Sequence, residues 1–272
     1  MIKKSLCILL SLLLCIPAIP QSVLPNHPWQ HKRVAYIGDS ITDPKNKTTD
    51  VRYWNFLQQW LDITPYVYAV SGRQWNDVIH QANQLKSLHG NDFDAIMIFM
   101  GTNDFNAAVP LGKWYNETKE NVLAAVHKPK AIVKRMRRTP CMDPETFRGR
   151  INIALDSLKR MFPDKQIVLL TPIHRANARF SDNNIQPSEQ YQNECGEYFT
   201  SYVEAVKEAG SIWSVPVIDL YSTCGLMPVL DKYVPYFGNY ETDRLHPNRI
   251  GHLRIAKTLY YQLATLPCTF DE

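Results

Sequence analysis

Five nearly continuous apolar runs constrain the fold of this chain more than any other feature. They are rich in β-branched residues and predict strands over Arg33–Gly38, Tyr66–Val70, Ala95–Met100, Gln166–Thr171 and Val215–Leu220. Because the runs do not alternate with polar residues, we expect both faces of each strand to be buried, as in a parallel sheet. Apolar residues at helical spacing predict helices between them, over Val51–Leu61, Trp75–Leu88, Pro144–Phe162, Ser188–Ala209 and Arg249–Ala264.

Strands that alternate with helices predict an α/β fold. We expect a three-layer sandwich in which a mostly parallel sheet of about five strands is flanked by helices on both faces. Ligands of such sheets bind at the carboxyl ends of the strands. Ser40, Gly72 and Asn103 follow the first three predicted strands. The fold therefore predicts that these three residues meet at one edge of the sheet.

The first 22 residues have the pattern of a secretory signal peptide. Lys3 and Lys4 precede an apolar run from Leu6 to Ile16, and small or chain-breaking residues follow. The run is too short to span a bilayer, so we expect a secreted or periplasmic protein with no integral membrane span. A buried N-terminal helix and a lipid anchor on Cys15 are the less favoured alternatives. Residues 23–272 then form a single domain.

Charge argues against a polyanion such as nucleic acid as the partner. Loss of Lys3 and Lys4 with the signal removes no acidic residue and lowers the net charge from +4 to +2. The densest basic run, from Lys128 to Arg138, lies in an insertion at about residues 105–142. We interpret that run as a solvated face, with an acidic-substrate site as the alternative. We expect the insertion to overhang the sheet edge where Ser40, Gly72 and Asn103 meet. It could form a hairpin that turns at residues 127–130, or a helix.

The cysteines indicate no metal site. Cys141, Cys195, Cys224 and Cys268 follow the predicted signal, and they allow three disulfide connectivities or free thiols. The chain has no Cys-x-x-Cys motif and no His/Cys cluster, so we expect neither a metal nor a cofactor. Nothing in the sequence indicates an oligomeric state.

Two motifs offer a nucleophile and its base. Gly38-Asp39-Ser40 ends the first strand, where a sharp turn would expose the serine hydroxyl. Near the C-terminus, Asp243 precedes His246 by three residues, which lets one turn aim the carboxylate at the imidazole. The alternatives are an N-cap role for Ser40 and a helix-capping role for Asp243 beside a surface His246. The order of the motifs along the chain favours catalysis.

A third motif offers donors for an oxyanion. Gly101-Thr102-Asn103-Asp104 ends the third strand, and the Asn103 amide could stabilise the charge of a tetrahedral intermediate. Backbone N–H groups of Ser40 and Gly72 would complete the oxyanion hole. Gly72 could instead be a turn glycine, and Asn103 a turn-closing asparagine.

These motifs together resemble the SGNH hydrolases, also called the GDSL esterase/lipase family. Gly38 to Thr42, Gly101 to Asp104 and Asp243 to Pro247 are similar to its first, third and last blocks. The resemblance implies a flavodoxin-like sandwich and a catalytic set of Ser40, Asp243 and His246. It also implies an oxyanion hole from Ser40, Gly72 and Asn103. The second block, Tyr68 to Gly72, departs most from the family pattern.

The substrate is predicted from the aromatic residues expected near the active edge. Trp75, Trp114 and Tyr240 could contact a sugar ring, or their rings could instead pack in the core or a lid. His174 follows the fourth strand. With the predicted secretion, these residues favour an esterase that removes acetyl groups from carbohydrate, acting on a small-molecule or oligosaccharide ester. A lysophospholipase, lipase or thioesterase is the alternative within the family. A catalytically silent carbohydrate-binding protein is the alternative of another class.

Overall fold

The computed structural model describes residues 27–125, 129–266 and 270. The predicted signal peptide, including Cys15, and Cys268 lie outside the described residues. Among the described residues, no helix has both the length and the apolar character that a membrane span requires.

The chain alternates between strands and helices. Its strands are β1 (Arg33–Gly38), β2 (Thr64–Val67), β3 (Ala95–Phe99), β4 (Tyr115–Ala124), β5 (Ala131–Pro140), β6 (Gln166–Leu170), β7 (Ala178–Ser181), β8 (Asn184–Gln186), β9 (Val217–Ile218), β10 (Phe237–Asn239) and β11 (Asp243–Pro247). Its helices are α1 (Tyr53–Leu61), α2 (Val78–His89), α3 (Thr102–Asn106), α4 (Phe147–Met161), α5 (Phe199–Trp213), α6 (Leu220–Thr223) and α7 (Arg249–Thr265). Short 3₁₀ helices cover Trp75–Asp77 and Asp231–Tyr236.

The central sheet confirms the predicted α/β sandwich. Five parallel strands lie in the order β2-β1-β3-β6-β9. Along β1, Ala35 and Ile37 pack into one core cluster with α2, α4 and α5. Val34 and Tyr36 pack into the opposite cluster with α1 and α7. Both faces of the sheet are therefore covered, which explains the continuous apolar runs.

Two of the central strands end earlier than the apolar pattern predicts. The last strand, expected over Val215–Leu220, is limited to Val217–Ile218. Pro216 has no N–H for the ladder, and the Asp219 side chain caps α6 by accepting from Ser222 N at 3.1 Å. The second strand, expected over Tyr66–Val70, covers Thr64–Val67, although Tyr68 N still donates to Tyr36 O.

The helix predicted over Ser188–Ala209 was wrong in its first half. Helix α5 begins only at Phe199. Before it, the Asn193 side chain accepts from Glu197 N at 3.0 Å, and Gly196 has a φ of +81°. This side-chain hydrogen bond competes with helical pairing and closes a turn instead.

A second, antiparallel sheet was not predicted from the sequence. Its strands lie in the order β10-β11-β7-β8. Strand β11 contains Asp243 and His246, and it pairs with β7 at Asp243 and Ala178. The sheet therefore places the β7–β8 hairpin beside the histidine.

The insertion contains the expected hairpin rather than the alternative helix. Strands β4 and β5 pair along ten residues each, from Tyr115 opposite Pro140 to Ala124 opposite Ala131. The buried Asn152 of α4 holds the hairpin base by donating to Trp114 O at 2.9 Å and to Cys141 O at 3.0 Å. Cys141, Cys195 and Cys224 are free thiols.

Candidate active site

A tight turn after β1 presents Ser40. Backbone N–H groups of Thr42 and Asp43 donate to Asp39 O at 3.1 and 2.9 Å. The Asp39 side chain accepts from Ile41 N at 3.1 Å, and burial raises the pKa of this carboxyl to about 6. Helix α1 begins only at Tyr53, so Ser40 is not an N-cap. The turn therefore presents the Ser40 hydroxyl, which has no helix-capping role.

His246 lies between Ser40 and Asp243. Its Nε2 is 2.8 Å from Ser40 Oγ, and its Nδ1 is 3.0 Å from Asp243 Oδ2. Asp243 Oδ1 also accepts from the backbone N–H groups of Leu245 and His246, at 3.1 and 2.9 Å. Burial raises the pKa of Asp243, but hydrogen bonds and charge from His246 outweigh this effect, and the pKa is lowered overall. Asp243 therefore stays ionised at neutral pH.

The last helix has its own cap. Asn248 accepts from Ile250 N and Gly251 N at 2.9 and 3.2 Å, and α7 begins at Arg249. Pro247 is the last residue of β11 and lies before this cap. Because Asn248 is the cap, Asp243 is left to bond His246.

Ser40, Gly72 and Asn103 line one cavity of about 600 Å³ with Asp243 and His246. Gly72 has a φ of +82°, a backbone conformation that residues with a side chain rarely adopt. Asn103 lies in α3 and donates one amide hydrogen to Arg73 O at 3.0 Å. A primary amide carries two hydrogens, so the second is available to a ligand.

Asp43 ties the Ser40 turn to the Gly72 loop. Its Oδ2 accepts from Ser71 N at 2.8 Å and from Ser71 Oγ at 2.7 Å, and the side chain is buried. Its backbone N–H belongs to the Ser40 turn, because it donates to Asp39 O at 2.9 Å. One carboxylate thereby fixes the position of Gly72 relative to Ser40. The sequence offered a signal for it, since Asp43 directly follows the block from Gly38 to Thr42.

Asp104 ties the same loop to the Asn103 segment. Its fully buried carboxylate accepts from Trp75 N at 3.1 Å and from Arg150 Nη1 at 3.1 Å. Burial raises the pKa of Asp104 to about 7, against the opposing effects of Trp75 N–H and Arg150. The fourth residue of the third motif is therefore a packing link between the loop and α3.

The β7–β8 hairpin forms a wall of the cavity that sequence reasoning missed. Phe180 is 45% exposed, and its ring centroid lies 5.3 Å from that of His246. Asn184 and Gln186 line the cavity beside it, and Asn46, Lys47, Thr48, Ser71 and Leu245 complete the lining. An alternating Ala-Arg-Phe-Ser run before Asp182-Asn183 could have indicated the hairpin, but nothing local places it beside His246.

A polar network that includes the buried Arg175 holds Gln186 in place. Its Oε1 accepts from Asn106 Nδ2 at 2.6 Å and from Arg175 Nη2 at 3.2 Å, while its Nε2 donates to Asn184 Oδ1 at 3.0 Å. Burial lowers the pKa of Arg175 to about 10, which still leaves the guanidinium charged at neutral pH. The two cavity amides are therefore oriented before a ligand arrives.

The four predicted substrate-binding residues lie outside this lining, which corrects their placement. Trp75 is fully buried in the core, so its ring cannot contact a ligand. Trp114 donates to Glu208 Oε2 at 2.6 Å at the base of the insertion. His174 bonds Glu189 at 2.5 Å, and the exposed Tyr240 ring is covered by Arg244 at 4.5 Å. No described residue of the insertion lines the cavity, so the described part of the insertion does not form a cavity wall.

Comparison with known families identifies the chain. The model of the GDSL-like lipase/acylhydrolase family matches residues 36–254. The chain belongs to this family. A search of curated proteins finds no match to this chain.

Solved structures share the fold at low identity. A protein from Lactobacillus plantarum has a TM-score of 0.66 and 23% identity, over 86% of this chain and 97% of that one. A possible lipase from Chitinophaga pinensis has a TM-score of 0.62 and 20% identity, over 85% and 97%. A catalytic mutant of an acetylxylan esterase from Geobacillus stearothermophilus has a TM-score of 0.51 and 14% identity, over 89% and 98%.

Proposed function

We propose that this protein is an exported serine esterase that removes acetyl groups from carbohydrate. The observation that carries the esterase proposal is the continuous hydrogen-bonded line from Ser40 Oγ through His246 to Asp243. Hydrolysis of an acetylated oligosaccharide by the purified protein, with acetate measured, tests the proposal directly.

The mechanism begins with attack by Ser40 Oγ on the ester carbonyl carbon. His246 Nε2, 2.8 Å away, takes the hydroxyl proton, and Asp243 stabilises the imidazolium that forms. Collapse of the tetrahedral intermediate breaks the bond to the alcohol oxygen, which leaves with the proton from His246. Water then attacks the acyl-serine, His246 accepts its proton and returns it to Ser40, and acetate is released.

The oxyanion is stabilised by three donors in this proposal. They are the backbone N–H groups of Ser40 and Gly72 and the second hydrogen of the Asn103 amide. The bond from Asn103 to Arg73 O supports this role, because it orients the amide before the charge develops. The hold of Asp43 on Ser71 supports the role of Gly72 in the same way.

A polar cavity favours a polar alcohol over a fatty chain. Phe180 and Leu245 are the large apolar residues among the lining residues, whereas most of the others carry amide, hydroxyl or charged groups. An exposed aromatic face beside fixed amides suits a sugar ring, whose C–H face packs on an aromatic and whose hydroxyls bond the amides. An acyl chain would displace water from the Asn184 and Gln186 amides without replacing its hydrogen bonds.

A panel of esters separates the candidate activities. An acetylesterase for sugars is expected to prefer acetylated xylo- or gluco-oligosaccharides to lysophosphatidylcholine and to long-chain nitrophenyl esters. Preference for the long chains would make the protein a lipase. Binding of the sugar with no acetate release would make it the catalytically silent binding protein considered above.

Substitution of Asn103 by alanine is expected to lower kcat by roughly 10²–10³-fold with little change in KM. The reason is that an oxyanion donor acts in the transition state rather than in the ground state. Steady-state kinetics on nitrophenyl acetate measures both constants. Asn184→Ala is the matched control, because it removes another cavity amide that we place on the alcohol side. A rise in KM alone for Asn103→Ala would assign that residue to substrate binding.

Substitution of Phe180 by alanine is expected to lower kcat/KM for an acetylated oligosaccharide by about tenfold. Loss of a stacked aromatic contact removes roughly 1–2 kcal/mol of binding free energy. Methyl acetate has no ring to stack on Phe180 and is expected to lose less than about threefold in kcat/KM. Tyr240→Ala, which removes an equally exposed ring outside the cavity, serves as the control. Equal losses on both substrates would mean that Phe180 supports His246 rather than the sugar.

A further inference from the structure

The hairpin of β4 and β5, called the arm below and comprising residues 115–125 and 129–140, has no role in the proposed chemistry. In this described part of the arm, the side-chain hydrogen bonds and ion pairs of its strands are made within the arm itself, as in Arg137–Glu120 at 3.2 Å and Arg138–Glu117 at 2.8 Å. An isolated two-stranded sheet is only marginally stable in water. A contribution to the stability of the fold therefore does not explain why the arm is so long.

The arm carries the positive charge of the protein. Its described residues hold six cations, Lys119, Lys130, Lys134, Arg135, Arg137 and Arg138, and two carboxylates, Glu117 and Glu120. Their net charge of +4 equals the net charge of the whole 272-residue chain. The remaining sequence is therefore neutral overall, and the arm is the local source of an electrostatic field that attracts anions.

The two faces of the arm differ. Cross-strand pairing places Lys119 opposite Met136, Asn121 opposite Lys134, and Leu123 opposite Ile132. Alternate residues of a strand share a face, so these six residues form one surface, called here the apolar-lysine face. Leu123, Met136 and Ile132 on it are 56%, 59% and 74% exposed. Lys119 and Lys134 have no ion-pair partner among the described residues.

The opposite face is built differently. It pairs Thr118 with Arg137, Glu120 with Arg135, and Val122 with Val133. Each face has one ion pair, Arg137–Glu120 here and Arg138–Glu117 on the side of Lys119, so the faces differ in their apolar side chains and lysines. Exposed apolar side chains and unpaired lysines are thus brought together mainly on the apolar-lysine face.

We propose that the apolar-lysine face docks the protein onto an anionic lipid bilayer. Leu123, Ile132 and Met136 would enter the interface below the headgroups, at the shallow depth of peripheral insertion. Lys119 and Lys134 would extend their stems across the same surface and place their ammonium groups at the phosphates. A second copy of the arm fits poorly, because it sets one arm of net charge +4 against another. A soluble polyanion satisfies the lysines but leaves the three apolar side chains in water.

Cosedimentation of the full chain with vesicles tests the proposal. The chain is expected to bind vesicles of equal parts phosphatidylcholine and phosphatidylglycerol, to bind pure phosphatidylcholine weakly, and to be released as salt is raised. Lys119→Gln with Lys134→Gln is expected to weaken binding about thirtyfold, from the contribution of two lysines near an anionic surface. Leu123→Ser with Ile132→Ser is expected to weaken binding at least about tenfold, through lost apolar burial.

Matched pairs on the opposite face control for charge and for apolar content. Arg135→Gln with Arg137→Gln removes the same number of positive charges as the lysine pair. Val122→Ser with Val133→Ser removes two apolar side chains. Each pair is expected to change the affinity by less than about threefold to fivefold, because those side chains point away from the membrane. Hydrolysis of nitrophenyl acetate, unchanged in all four variants, shows that the catalytic domain stays folded.

Three results would overturn the proposal. The first is absence of binding to the anionic vesicles, or equal losses from the two faces. The second is vesicle binding that survives Leu123→Ser with Ile132→Ser and is fully competed by dextran sulfate, which would identify a soluble polyanion as the partner. The third is a dimer in light scattering that these serine substitutions dissociate, which would identify a second copy.

Discussion

Substitution of Ser40 by alanine is expected to lower kcat for nitrophenyl acetate by roughly 10⁴–10⁶-fold. The alanine has no oxygen to attack the carbonyl, so the acyl-enzyme cannot form. The residual rate comes from the oxyanion donors and from binding alone. KM and the thermal unfolding temperature are expected to stay near those of the unmodified protein, since the turn is held by backbone bonds and by Asp39 rather than by the hydroxyl.

Ser71→Ala provides the matched control. Ser71 lines the same cavity, but its Oγ donates to Asp43 at 2.7 Å and has no bond to His246. Its loss is expected to cost about tenfold or less, through slight loosening of the Gly72 loop. A fluorophosphonate probe adds a direct readout, because it should label Ser40 in the unmodified protein and in Ser71→Ala. Activity of Ser40→Ala within tenfold of the unmodified protein would exclude Ser40 as the nucleophile.

The central sheet could be predicted because burial on both faces leaves a signal in the sequence itself. Strand β3 reads Ala-Ile-Met-Ile-Phe, with Ile96 and Ile98 on one face and Met97 on the other, all fully buried. No other common arrangement requires a run of this kind to lie between helical patterns. The residues that follow the strands then meet at one edge for geometric reasons, which is why Ser40, Gly72 and Asn103 were expected together.

The second sheet could not be predicted in the same way. Strands β8 and β10 have three residues each and are largely exposed, so neither continuity nor alternation marks them. Their pairing depends on contacts between distant segments, such as Asp243 with Ala178. Phe180 owes its position beside His246 to that pairing, and a single sequence contains no local record of it.

Aromatic content was a poor guide to the cavity wall. Trp75 and Phe180 are both aromatic residues in segments that follow predicted strands, but one is fully buried and the other is half-exposed. The Trp75 backbone N–H donates to the buried Asp104, 29 positions away, and this contact holds the Trp75 segment against the core. Apolar periodicity predicts which face of an element is buried but not which loop residue is pulled beneath the surface.

Substitution of Asp243 by asparagine is expected to lower kcat by about 10⁴-fold while the fold is retained. Asp243 Oδ1 accepts from the backbone N–H groups of Leu245 and His246, and the asparagine oxygen can keep both bonds. Its NH₂ group is then placed where Oδ2 was, 3.0 Å from His246 Nδ1. An N–H donor at that point favours the tautomer with the proton on Nε2, which cannot accept the Ser40 proton.

The charge of Asp243 contributes as well as its geometry. Its lowered pKa keeps the carboxylate ionised at neutral pH, so it stabilises the imidazolium in the transition state, and the neutral amide does not. Kinetics on nitrophenyl acetate and a thermal melt separate loss of chemistry from loss of fold. Asp231→Asn is the control, because this exposed carboxylate pairs with Arg244 at 2.8 Å and does not touch His246. If Asp243→Asn keeps a rate within tenfold of the unmodified protein, Asp243 only shapes the turn, and another group must orient His246.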